Sequence, residues 1–148
     1  CYKLVLQTEI EVPMPSIEAI EDIGSRHQAR LKAAALGSCQ NLLKAGATRR
    51  GRRIISETVG VAESRVLEWV NKADLMRING ISTRYAQLLE AAGVDSIRKL
   101  RKRRPAHLHQ SLVTENATRR KRLVNRLPSK KEVSAWVKQA KKLPQIVK

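Results

Sequence analysis

From Ser16 onward the apolar residues recur at spacings of three and four, the pattern of helices with one face turned inward. The strongest run is Ala62 to Met76, where Val66, Trp69, Val70 and Ala73 share a side. Punctuation supplies the remaining boundaries. Ser16 caps a short helix carrying Ile17 and Ile20, the hairpin Ile23-Gly24-Ser25 follows, and a helix runs from about Arg26 to Ala35. Leu36-Gly37-Ser38 breaks it, with Gly37 as the expected left-handed stop and Ser38 as cap of a helix holding Leu42 and Leu43. Thr48 caps the next, with Ile54, Ile55 and Val59 before Gly60. Thr83 to Ala92 is helical and closed by Gly93; Ser96 starts a helix with Ile97 and Leu100; Pro105 opens one with Leu108 and Leu112. Pro128-Ser129 introduces a last helix with Val133, Trp136, Val137 and Ala140, ended by Pro144. Only Cys1 to Val12 alternates loosely, so residues 1–15 read as an extended tail or linker. The expected fold is all-α, a compact helical bundle.

The pattern is written twice. Ile20-Glu-Asp-Ile23-Gly24-Ser25-Arg26 returns 58 positions later as Ile78-Asn-Gly80-Ile81-Ser82-Thr83-Arg84, and the same offset pairs Leu31 with Leu89, Ser38 with Ser96 and Leu42 with Leu100. The Trp-Val helix returns at an offset of 67, Trp69 with Trp136, so the second copy carries nine extra residues, expected around Ala117 to Arg126. A duplication of this length sets the unit of architecture. The expected layout is a first repeat over 16–77, a second over 78–143 and a basic tail over 144–148, the repeats packing as one domain.

Composition narrows the core and the partner. Of 148 residues 42% are apolar but only 3% aromatic, with no Phe, so the core is aliphatic around Trp69 and Trp136. Thirty Lys and Arg against 13 acids leave +17, which points to a polyanion, DNA or RNA before an anionic membrane. Cys1 and Cys39 form no disulfide framework. No apolar run approaches the ~20 residues of a membrane span, and the opening segment lacks a secretory pattern, so a cytoplasmic location is expected. A chain opening on Cys1 rather than Met is expected to be a fragment, a processed product or an incomplete terminus.

The second copy, with Ile78, Gly80-Ile81-Ser82, Ala86, Leu89, Ala92-Gly93-Val94-Asp95-Ser96 and Leu100, resembles the helix-hairpin-helix motif. The first, with Ile20, Asp22-Ile23-Gly24, Leu31, Leu36-Gly37-Ser38 and Leu42, resembles it less closely. Together they look like an uncharacterised bacterial family of tandem helix-hairpin-helix domains, over roughly Ser16 to Leu143. The resemblance implies anion capture: backbone N–H groups and the helix dipole receive a phosphate oxygen where the second helix starts. Gly24, Ser25 and Arg26 hold that place in one copy, Gly80, Ser82, Thr83 and Arg84 in the other. Glycine there admits close backbone approach and positive φ. Asp22 departs from the motif's first glycine and would repel a phosphate, and Ser82 departs from its last, so Gly80 to Arg84 is the preferred hairpin. The competing reading is that both hairpins merely join helices.

Three basic clusters extend the case: Arg49, Arg50, Arg52 and Arg53; Arg98 to Arg104, with Lys102, Arg103 and Arg104; and Arg119 to Arg122, with Arg119 and Arg120. They are expected to merge with the hairpins on one face. Nothing suggests catalysis. His27, His107 and His109 complete no metal site, there is no P-loop, and Asp95 lies outside the context of a glycosylase carboxylate. No cofactor is expected. The sequence thus reads as a non-enzymatic module binding the DNA backbone without sequence preference. Its alternatives are a protein-interaction or scaffold domain of a larger assembly, or an RNA- or ribosome-associated basic protein.

Overall fold

The computed structural model describes residues 14–148, so the tail expected over residues 1–15 lies outside them except for Met14 and Pro15. A 3-10 turn, Ile17–Ala19, precedes eight helices: α1 Ser25–Ala33, α2 Cys39–Ala45, α3 Arg49–Val59, α4 Glu63–Leu75, α5 Thr83–Ala91, α6 Ile97–Leu100, α7 Pro105–Thr118 and α8 Lys130–Lys142. The all-α expectation holds. Among the described residues the only β pairing is an isolated bridge between Ser16 and Ser38.

Short polar side chains start most helices by accepting a first-turn amide. Ser38 accepts from Asn41 N–H at 3.0 Å, Thr48 from Gly51 N–H at 3.1 Å and Ser96 from Lys99 N–H at 3.2 Å. Ser129 and Glu132 close a reciprocal capping box on α8. Gly60 stops α3 in the left-handed region, as expected.

The stop of α1 differs. The left-handed residue is Ala35, φ 65°, not Gly37. The turn closes early because the Leu36 N–H returns to the Leu31 carbonyl at 2.8 Å, which needs a left-handed residue just before Leu36. Gly37 instead gives its carbonyl to Ile17 N–H at 3.1 Å. Its counterpart 58 positions on from Ala35 is Gly93, φ 89°, with the same return from Val94 to Leu89 at 2.8 Å.

Two hydrophobic cores form, one from each half. Ile20, Ile23, Leu31, Leu42, Val66, Trp69, Val70 and Ala73 lie in the first. Ile78, Ile81, Leu89, Leu100, Val133, Trp136, Val137 and Ala140 lie in the second, in the same order along the chain. The aromatic neighbours correspond too: His27 lies 5.8 Å from Trp69 and Tyr85 5.4 Å from Trp136, ring centre to ring centre. The extra residues of the second half fall in the last turn of α7 and the loop before α8. There Asn116, itself buried, accepts from Leu123 and Val124 N–H and donates to the Val124 carbonyl, so the loop is bonded in place.

The halves meet along α4 and α5. Lys72, 2% exposed, sends its ammonium between Asp22 of the first hairpin and Glu90 of α5, the latter at 2.9 Å. Burial works against that charge, but the hydrogen bonds it donates to both carboxylates, with their negative charge, outweigh it and raise the pKa above the ordinary lysine value. The residues 144–148 then cross back to the first half, where Ile146 and Val147 pack against its core.

Candidate nucleic-acid interface

The two hairpins fold differently at the positions meant to receive phosphate. Gly24 precedes α1 at φ −68°, offers no side-chain cap, and has nothing within 4 Å of where a Cβ would stand. Neither positive φ nor crowding therefore requires glycine there, contrary to expectation. Gly24, Ser25 and Arg26 are all exposed, and the first turn of α1 keeps the amides that helical geometry leaves without partners. Asp22, expected to repel an anion, is paired with Lys72.

Gly80 does need its freedom, with φ +95° and a Cβ position only 3.1 Å from the Trp136 indole nitrogen. Its neighbours, however, turn toward the first half. Thr83 donates its hydroxyl to the Ala19 carbonyl, and Arg84 pairs with Glu21 at 3.2 Å. Ser82 caps α5 through Tyr85 N–H, and the Asn79 N–H donates to Gln139 Oε1 at 3.1 Å. The preferred hairpin is thus the one whose polar groups are engaged within the molecule, while the less motif-like one stands open.

The basic clusters divide likewise. A groove of about 580 Å³ is lined by Arg49 and Arg52 from α3, Arg98, Lys99 and Arg101 from α6 and its end, then Lys102 and Lys148. Seven basic side chains there face two carboxylates, Asp74 and Asp95. Both acids are matched, Asp74 by Arg77 at 2.8 Å and Asp95 by Lys99 at 3.1 Å. Burial nevertheless raises the Asp74 pKa against the pull of Arg77 and Arg101. Residues 49–52 and 98–102 are remote in sequence; packing of α4 against α3 and α6 joins them.

Not every predicted contact is available. Arg52 is buried and donates to the Gly46 carbonyl at 2.8 Å and the Lys148 carbonyl at 3.0 Å. Burial depresses its pKa, Arg49 adds to that and Glu63 opposes it. Arg103 serves the second half internally, reaching the Ala92 carbonyl at 3.5 Å and the Ser111 hydroxyl at 3.3 Å. Arg50, Arg53 and Arg104 are exposed outside the groove, Arg53 lying 3.9 Å from Glu63. Arg119 pairs with Glu115 at 3.2 Å, and neither it nor the exposed Arg120 lines the groove. No hairpin residue lines it either, so of the three clusters expected to merge with the hairpins the groove itself joins two. Lys148 escaped the sequence reading because only the return of the tail brings it there.

Among the described residues no His, Cys, Asp and Glu group is placed to hold a metal, and no helix is long and apolar enough to cross a membrane. The sequence model of one family, described as a domain of unknown function (DUF4332), matches residues 21–143. No curated protein and no solved structure matches the chain.

Proposed function

We propose that this chain, which belongs to the DUF4332 family of domains of unknown function, is a non-enzymatic cytoplasmic module that holds the phosphate backbone of duplex DNA without reading its sequence. The observation that carries the proposal is the groove in which two remote basic clusters converge around two already matched acids. Like charges concentrated in this way raise the local potential, and a phosphate backbone relieves it by releasing its counterions. The exposed first turn of α1 offers a second anchor, and the resemblance of both copies to the helix-hairpin-helix motif supports the same chemistry. The open hairpin Gly24-Ser25-Arg26 takes precedence over Gly80 to Arg84.

A fluorescence-anisotropy titration with a generic duplex tests this. Contacts from the exposed Arg49, Arg98 and Lys102 predict that log K falls with log salt at a slope at least as steep as about −2.7, near −0.9 for each phosphate neutralised. Arg98→Ala with Lys102→Ala should flatten that slope by about 2, whereas Arg119→Ala with Arg120→Ala should leave most of it. Absence of binding at low salt sinks the proposal. Stronger binding to structured RNA in competition would favour the RNA alternative. The exposed Ile54, 55%, and Leu67, 37%, flank the same basic helix faces and favour a protein-interaction domain as the second reading.

A further inference from the structure

Two of the groove's arginines already have a polyanion's substitute. Arg101 donates through Nη2 to the Leu143 carbonyl at 2.9 Å, and Arg52 through Nη2 to the Lys148 carbonyl at 3.0 Å. Leu143 immediately precedes the segment 144–148 and Lys148 belongs to it; Gln145, Val147 and Lys148 of that segment form one wall of the groove. The rest of its attachment is slight. The Lys148 N–H reaches the Ala47 carbonyl at 2.8 Å, Arg77 meets the Pro144 carbonyl at 3.4 Å, and Ile146 and Val147 are half-buried against the first core. Arg101 is moreover incompletely satisfied, because its Nε is buried without a partner. A guanidinium bonded on one edge to a neutral carbonyl, with its Nε idle, prefers a phosphate, which takes two parallel charge-assisted bonds.

Resting on the groove reading above, we propose that the segment 144–148 is an intramolecular strap that occupies the phosphate position of Arg52, walls in Arg101, and is displaced when a nucleic-acid backbone enters. Exchange of the Lys148 carbonyl for phosphate turns Arg52 from a structural cation into a binding one and opens the groove beside Arg101. Closure of the strap in about nine molecules of ten would weaken apparent affinity about tenfold.

Ile146→Ser with Val147→Ser unseats the strap without changing net charge. Titrated against the same generic duplex, the double variant should bind about tenfold more tightly with the same salt slope, because the strap has left both complexes. Weaker or unchanged affinity overturns the strap while leaving the parent's DNA binding intact. Binding by neither protein overturns both proposals. Hydrogen exchange on the unmodified chain guards against a variant that fails to fold. Added duplex should speed exchange in the peptide spanning 143–148 while slowing it around Arg98 to Lys102; slower or unchanged exchange in the strap peptide counts against displacement.

Discussion

Ala35 occupies a backbone region that L-residues avoid because Cβ crowds the following carbonyl, at about 1–2 kcal/mol. Its counterpart Gly93 meets the same geometry with no Cβ and open space around it. Ala35→Gly should therefore raise stability by about 1 kcal/mol, and Gly93→Ala should lower it by a similar amount, in urea unfolding followed by circular dichroism. A fall in stability for Ala35→Gly would contradict the strain. Cys39 makes a chemical prediction. Burial pushes its thiol up to about 11, so at pH 8 the folded protein should alkylate there far more slowly than the unfolded chain, as read by mass mapping of the Cys39 peptide.

At the scale of elements, Gly51 separates propensity from packing. Within a helix, glycine is about 0.5–1 kcal/mol worse than alanine, so Gly51→Ala should stabilise α3 on propensity alone. A Cβ there would stand 1.9 Å from the Ala45 carbonyl oxygen, so the variant should instead lose about 2 kcal/mol or more. Melting temperatures decide between the two signs. Helix starts were legible in the sequence because Ser38, Thr48, Ser96 and Ser129 act on amides three residues away. The repeat was legible because each copy buries the same apolar positions. The stop at Ala35 was not, since composition favours Gly37 and only the closing bond from Leu36 shows where the turn falls. The groove was half legible: its clusters stand out in the sequence, but their meeting depends on α4, and the withdrawal of Arg52 depends on the tail.

Across the described residues, two separate cores are fastened by the buried Lys72 ammonium alongside the Thr83–Ala19 bond and the Arg84–Glu21 pair. Lys72→Met leaves the Asp22 and Glu90 carboxylates facing each other without a cation, and should cost about 3 kcal/mol. Because Lys72 is held above the ordinary value of 10.5, its contribution is complete below that pH and fades as pH rises through the higher folded value. Urea midpoints of the parent and Lys72→Met should accordingly converge in strong alkali. A constant difference between them would place the effect elsewhere. The fastening is also asymmetric. Gly80 stands where Asp22 would recur, and Gln139 where Lys72 would, tying its hairpin by a neutral bond to Asn79. A third unit laid against the second would therefore meet an amide where the second met a cation. Among the described residues the charged fastening is thus made once, between the halves, and the second half keeps a neutral one in its place.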